Sequence, residues 1–552
     1  MLVCFCCFAA TIFFACKKKN DGNNPPPSPP LFQLKTLKID GTLSGGIYRG
    51  VSSIPAIKFL FSAAIDHNSV SGAVSFQNAA GGAIGYNATF ENNDSTVVIQ
   101  PASSLDFIAN YRVTISTALK STQQGILQSA ASANFMTAID SSDKFPIISD
   151  DSLLTLVQKQ TFKYFWDFGH PVSGLARERN SSGETVTTGG SGFGIMSIPV
   201  AINRNFITRA DGLARMQEIV SFLKNTAQHF HGAFSHWMNG TTGAVVPFAP
   251  NDDGADIVET SYLMMGLLTA RQYFDGASTD ETNLRNDIND LWNAVEWDWF
   301  RQEGKNVLYW NWSPNYNWAV NVPVQGWNET LITYVLAASS SSHGVPKTVY
   351  DSGFARNGAM RNGNSFFGYT LPLGENYGGP LFFAHYSFLG INPDGLLDAY
   401  ADYQTQTLNH TKINYEYCKA NPKSNYGYSN LCWGLTASDI QGGYTASSPT
   451  NDVGVIAPTA AISSIAYTPA ESMQALKFFY YKLGNKIWGQ YGFVDAFNLN
   501  DGWFADSDLA IDEGPIIVMI ENYRTGLLWN LFTSCSEVKS GLQSLGFTAP
   551  YL

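Results

Sequence analysis

The chain has 552 residues, 45% of them hydrophobic and 14% aromatic but only 14% charged, a profile that supports large buried cores and excludes a disordered polymer. Thirty-three Lys plus Arg stand against 45 Asp plus Glu, a formal net charge of −12. That balance excludes nucleic acid as the expected partner, because a phosphate backbone needs a basic stripe. The surplus is aromatic, with 36 Phe, 26 Tyr and 13 Trp, and it suits flat, uncharged, hydroxyl-rich ligands.

Residues 1–15 carry no charge and are almost wholly apolar, the length of a secretory core and too short to span a bilayer. Ala15 directly precedes Cys16, and Lys17, Lys18 and Lys19 follow. This resembles a bacterial lipoprotein signal in which Cys16 becomes the acylated N-terminus, with the departure that no Lys or Arg precedes the apolar run. Residues 16–30, rich in Asn, Gly and Pro, read as a tether that cannot pack. The expectation is an exported lipoprotein, lipid-anchored in the periplasm or at the outer-membrane surface and monomeric. Only Cys418, Cys432 and Cys535 remain for the folded body, without the spacing of a metal site or a disulfide scaffold. Cys418 and Cys432 are near enough either to pair or to stay as two buried thiols.

Residues 31–140 read as short strands, Ala56–Ser62, Ser95–Gln100 and Tyr111–Ser116, separated by Gly, Asn and Ser turns, and predict a β-sandwich. The run Ile57-Lys58-Phe59-Leu60-Phe61-Ser62 with Asp66, Ile99-Gln100-Pro101, Leu105 and Tyr111-Arg112-Val113 resembles the bacterial Ig-like domains that serve as spacers in exported proteins. No catalytic constellation falls here.

From residue 151 to 552 the period becomes helical. Ser152–Phe168 opens with a Ser cap, and further helices are predicted at Ser191–Asn203, Ala210–His229, Asp256–Phe274, Glu281–Asp298, Glu329–Ser339, Val345–Ala359, Pro380–Leu389, Asp394–Leu408, Thr459–Tyr467, Ala470–Leu483 and Ile511–Asn530. The long loops between them are rich in Gly, Asn, Trp and Tyr. The fold class is therefore mainly α: an (α/α)6 toroid preceded by a small all-β Ig-like sandwich.

Most reaction types find no motif. GxSxG, HExxH, GxxxxGK[ST] and a strand-to-helix GxGxxG are all absent. The Gly189-Gly190-Ser191-Gly192-Phe193-Gly194 cluster lacks the Lys of a phosphate loop and reads as a sharp turn into a helix. His229, His231 and His236 put no two imidazoles on one helical turn, so neither a metal nor a cofactor is expected. What remains is carboxylates at helix starts beside aromatic loops. Asp256 and Glu259 stand three apart and share a side, either as a catalytic pair or as a cap with its capping-box acid. Glu329 follows Trp327 and the loop Tyr309-Trp310-Asn311-Trp312, where indoles desolvate a carboxyl and raise its pKa, as a general acid needs. Asp512 and Glu513 open a third apolar helix.

Tyr164-Phe165-Trp166-Asp167-Phe168, Gly174-Leu175-Ala176-Arg177-Glu178-Arg179, Gly192-Phe193-Gly194, Asp256-Ile257-Val258-Glu259-Thr260, Gly326-Trp327-Asn328-Glu329, Asp512-Glu513-Gly514-Pro515 and Glu521-Asn522-Tyr523-Arg524 together resemble the glucoamylase-like domain of bacterial β-1,2-glucan hydrolases, glycoside hydrolase family 144. The resemblance runs from about Ser152 to the C-terminus. It implies an (α/α)6 toroid and an inverting hydrolase releasing sophorose or short sophoro-oligosaccharides, with the acids matching Asp256, Glu259 and Glu329 tied to activity. Glu329 is then the expected proton donor, Asp256 and Glu259 position or activate water, and Asp512 and Glu513 are further candidates for the base. Arg177, Trp237, Trp310, Trp312, Trp327, Tyr369 and Tyr386 are the candidates for holding sugar. The rival expectations are a non-catalytic glycan-binding lipoprotein and a hydrolase of another glucan linkage.

Overall fold

The computed structural model describes residues 31–43 and 46–552, so the signal-like segment, Cys16 and the tether lie outside the described residues. The chain divides into two compact units: one takes Tyr111–Phe135 with the residues up to Leu105, the other Asp106–Asn110 with Met136–Leu552.

The first unit is a two-sheet sandwich. Strands β1 (Leu34–Ile39), β2 (Tyr48–Val51), β3 (Ile57–Phe61), β4 (Val74–Asn78), β5 (Tyr86–Glu91), β6 (Thr96–Pro101), β7 (Asn110–Ile115) and β8 (Ala131–Thr137) form sheets in the orders β1-β3-β6-β5 and β2-β8-β7-β4. In β3 burial alternates strictly, placing Ile57, Phe59 and Phe61 inside. That period of two is why the strand was legible in the sequence. β1, β2, β4, β5 and β8 were not anticipated; β5, half-buried at alternate positions, has too few apolar residues to announce itself.

The second unit is a double ring of helices. Leaving aside single turns, its helices are α1 (Asp150–Trp166), α2 (Thr188–Asn203), α3 (Arg209–Asn225), α4 (Ile257–Tyr273), α5 (Thr279–Ala294), α6 (Leu331–Ser339), α7 (Tyr403–Ala420), α8 (Pro458–Ile462), α9 (Pro469–Ile487), α10 (Ala510–Thr525), α11 (Leu527–Ser534) and α12 (Ser536–Ser544). Burial sorts them. α2 is buried from Thr188 to Ala201 and α4 from Ile257 to Ala270, the mark of helices enclosed on all sides. With α6, the 3-10 segments Leu381–Ala384 and Tyr386–Leu389, α8 and α10, they make six inner staves; α1, α3, α5, the turns around 347–358, α7 and α9 alternate with them outside. α2 packs against α4 and α10, α4 against α6, α6 against Tyr386–Leu389, and α8 against α10. His385 Nε2 and Ser464 Oγ, 2.9 Å apart, join the remaining seam.

The connections are unequal. Chain passing from an inner to an outer stave takes a few residues, as at 204–208 and 274–278, whereas 226–256, 295–330, 421–457 and 488–509 lead from outer to inner staves and carry small hairpins. The site lies where these long segments enter the inner helices.

Several predicted helices are corrected. Ser149, not Ser152, caps α1, its Oγ accepting the Ser152 N–H at 3.2 Å. The Val345–Ala359 helix breaks into turns where Arg356 and Asn357 take φ of 50° and 52°. Asp394–Leu408 begins only at Tyr403, because Asp398 serves a loop, accepting the N–H groups of Tyr400 and Ala401. Ile511–Asn530 is two helices, parted at Gly526 with φ 69°. Cys418, Cys432 and Cys535 are buried free thiols, so the first two do not pair.

Candidate active site

The glycine cluster is not a turn but the first turns of α2, and close approach explains its composition. A Cβ on Gly192 would lie 2.2 Å from the Tyr262 carbonyl oxygen, and one on Gly266 2.2 Å from the Gly192 carbonyl oxygen. α2 and α4 therefore touch backbone to backbone, which brings the start of α2 against the first turn of α4.

Asp256 caps α4. Its Oδ1 accepts the N–H groups of Val258 and Glu259 at 3.0 and 2.9 Å, and its Oδ2 meets His236 Nδ1 at 2.9 Å and accepts Trp310 Nε1–H at 3.2 Å. The residue is completely buried. Both oxygens are thus committed to holding the helix start, an imidazole and an indole. Glu259 is not a capping-box partner: its Oε2 accepts the Gly189 N–H at 2.7 Å and the carboxyl turns into a cleft of about 460 Å³.

Glu329 lines the same cleft, just ahead of α6, together with Glu178, Arg179, Thr187, His236, Trp237, Phe248, Tyr262, Trp310, Phe382, Tyr386, Ala437, Tyr444, Leu509 and Ile511. Burial lifts the Glu329 carboxyl to about 7, with Glu259 and Asp256 pushing the same way. Burial also raises Glu259, against the pull of His236. Burial would lower the His236 imidazolium, but Glu259 and Asp256 beside it carry it up to about 9. The result is one carboxyl poised to carry a proton and a second with a cation next to it.

Arg179 and Glu178 close one wall. Arg179 Nε donates to Glu178 Oε2 at 2.9 Å and its Nη1 to Asp439 Oδ2 at 3.1 Å. The Asp439 N–H in turn donates to Asp495 Oδ2 at 2.6 Å. Burial raises both Asp495, to about 7, and Asp512. Asp512 and Glu513 lie in the first turn of α10, buried and outside the cleft lining.

The sugar-binding candidates separate. Trp237, Trp310 and Tyr386 line the cleft. Trp327 does not: it is buried, packed between Phe388 and Tyr403 at 6.0 and 6.2 Å, so Tyr262 and Tyr386 rather than an indole at 327 enclose Glu329. Arg177 is spent on structure, donating to the Phe168 and Gly183 carbonyls and lying over the Phe168 ring. Tyr369 sits in a hairpin packed on α7, outside the cleft lining. Trp312 faces a separate depression. The three histidines diverge, His231 to Glu296, His236 to Asp256 and His229 to the surface. Arg179, His236, Tyr262 and Tyr444 were not anticipated as site residues. Tyr262 was within reach, because it stands three after Glu259 and so shares its face of α4.

A ring of six inner and six outer staves with acids and aromatics gathered where the inner helices begin defines the glucoamylase-like toroids. Residues 321–536 match the family model described as "Putative glucoamylase", and residues 48–137 the bacterial Ig-like domain. An endo-β-1,2-glucanase of Chitinophaga pinensis, solved with sophorotriose and glucose, is 52% identical over 74% of this chain and all of its own, with a TM-score of 0.72. A β-1,2-glucanase structure from Parabacteroides distasonis is 37% identical over 93% of this chain and 72% of its own, with a TM-score of 0.71. An exo β-1,2-glucooligosaccharide sophorohydrolase (non-reducing end) from the same organism is 45% identical over 72% of this chain. The chain spans 58% of the length of that curated relative. The chain belongs to the glucoamylase-like family that includes these proteins.

Proposed function

We propose that the chain is a glycoside hydrolase that cleaves β-1,2-glucan to sophorose or short sophoro-oligosaccharides with inversion at the anomeric carbon. The observation that carries this reading is the pairing of Glu329 and Glu259 in one aromatic cleft, the first raised by burial to about 7 and the second beside a cationic His236. The substrate class is the one on which the relatives act.

Glu329 donates its proton to the glycosidic oxygen as the C1–O bond breaks. Glu259 accepts a proton from water, whose oxygen bonds to C1 from the opposite face. Both carboxyls then return to their starting states by exchange with solvent. Asp256 acts as a positioning residue, holding His236 and Trp310 in place. Trp237, Trp310 and Tyr386 offer apolar faces to sugar rings, and Arg179 with Glu178 offers donors and acceptors to hydroxyls.

The test is incubation of the purified chain with linear β-1,2-glucan and with β-1,3-, β-1,4- and α-1,4-glucans, following products by chromatography and the first-formed anomer by NMR. The reading expects β-1,2-glucan to be cleaved with the α-anomer appearing first. Cleavage confined to another linkage, or a β-anomer first, overturns it. The chain is read further as a monomeric exported lipoprotein acylated at Cys16, in the periplasm or on the outer-membrane surface. Replacing Cys16 by Ser is expected to move it from the membrane fraction to the soluble fraction.

A further inference from the structure

The connection between α5 and α6 builds a second cleft, of about 650 Å³, that shares no lining residue with the first. Trp299, Trp312 and Trp318 supply its aromatic surface, and Glu296, Asp298 and Glu303 are among its polar groups. Trp299 is 40% exposed, an unusual position for an indole in a protein that buries most of its aromatics.

The indoles are held before any ligand arrives. One face of Trp299 is covered by the His231 ring at 3.7 Å and 14°, and His231 Nδ1 is fixed by Glu296 Oε2 at 2.8 Å. Trp312 stands edge-on to Trp299 at 6.1 Å and 79°, and Trp318 lies at 6.4 Å and 32°. Phe300, itself buried, meets Trp318 edge-on at 6.2 Å and 89°. Asp298 is tied to His343 at 3.0 Å.

No Lys or Arg lines this cleft, which argues against uronates, phosphates and other anions. Rigid apolar faces rimmed by carboxylate and amide groups suit a neutral polyhydroxyl chain, whose C–H faces stack on indoles while its hydroxyls donate to the rim. Trp312 pairs with Ala255, and two residues earlier the Trp310 carbonyl accepts the Ile257 N–H, so both indoles belong to one short segment laid along the start of α4. Trp310 lines the acid-bearing cleft and Trp312 this one, which makes the two clefts neighbours along that segment.

We infer that the Trp299, Trp312 and Trp318 cleft is a second glucan-binding site, holding a stretch of polymeric chain outside the cleft where cleavage occurs. The inference rests on the proposed β-glucan reading for the identity of its ligand. It joins two binding events on one polymer, so it favours long chains over short ones.

The test uses the full chain and its W299A and W299Y variants, with linear β-1,2-glucan as probe in native affinity electrophoresis and in steady-state hydrolysis. W299A is expected to weaken retention roughly three- to tenfold, the scale of one lost aromatic stack, and to raise KM for polymer relative to KM for the shortest cleaved oligosaccharide. W299Y, which keeps an aromatic face, is expected to restore most of both. Unchanged retention and an unchanged KM ratio in W299A, with β-1,2-glucan still hydrolysed, overturn the second site alone. Retention that is lost in W299A while no β-1,2-glucan is hydrolysed by the parent chain overturns the proposed function and leaves the binding site standing. Equal loss of retention in W299A and W299Y, with W299A losing its thermal transition, assigns Trp299 to folding and overturns the site.

Discussion

Gly189 donates its N–H to Glu259 Oε2 at 2.7 Å, and a Cβ added to that glycine would stand 2.5 Å from the same oxygen. The glycine therefore does two things for one carboxylate, supplying a donor and leaving room. Gly189→Ala is expected to fold, since alanine favours a helix, while pushing Glu259 out of register. A fall in kcat of about tenfold to a hundredfold is expected, with a far-UV spectrum like that of the parent; parental kcat would separate Glu259 from the chemistry.

Glu329, raised by burial to about 7, must be protonated to act as an acid. The activity of the parent chain should hold below that pH and decline as pH rises through it. Glu329→Gln cannot give up a proton, so about 10²- to 10⁴-fold of the rate should disappear, and the alkaline limb with it. Reducing-end assays across pH 5 to 9 measure both.

His236 sits at about 9, above the ordinary imidazole value near 6.5, through Glu259 and Asp256. A group raised in the folded state contributes stability that is complete below its unfolded pKa and is lost as pH climbs through the folded one. The stability gap between the parent and His236→Gln should therefore close between about pH 6.5 and 9, as read by denaturant melts. Without the cation, Glu259 should hold its proton to higher pH, moving the acid limb of kcat/KM upward.

Glu521, at the far end of α10, is fully buried and accepts Arg204 Nε at 2.7 Å and Nη2 at 2.9 Å, Gln158 at 3.1 Å and Thr525 at 2.8 Å. Burial would raise it, but these donors carry it below the usual carboxylate range. Arg204→Ala strands that charge and is expected to destabilise the helical unit by about 3–5 kcal/mol, with little change in kcat for the protein that remains folded. The pair's contribution is present above the ordinary carboxylate range and falls away on acidification, so the gap to the parent should narrow as pH drops.

The ring was legible because α1, α3 and α5 carry their apolar residues on one side, whereas α2 and α4 read as long, almost uncharged apolar runs. Asp256 before an apolar run signalled α4 correctly. Sequence spacing could not show that Asp256 spends both oxygens on four donors, or that Glu259 answers Gly189 from seventy positions away. Trp327 misled for a similar reason: nearness in sequence to Glu329 placed it in the cleft, but in the loop ahead of α6 the indole packs into the core against Phe388 and Tyr403. The Pro380–Leu389 stave was expected as an α-helix because its composition is apolar, and two 3-10 turns fill the place instead.

The unequal connections divide the ring into two faces with different freedoms. Segments such as 204–208 and 274–278 close hairpins between staves, and lengthening them would strain the packing without reaching the cleft. The long entries at 226–256, 295–330, 421–457 and 488–509, each running from the end of an outer stave to the start of an inner one, hold Trp237, Trp310, Tyr444 and most of the second cleft. A lineage can therefore rewrite which chain length or linkage it accepts by exchanging the outer parts of these entries, while Glu259, in the first turn of α4, and Glu329, where its entry meets α6, keep their places.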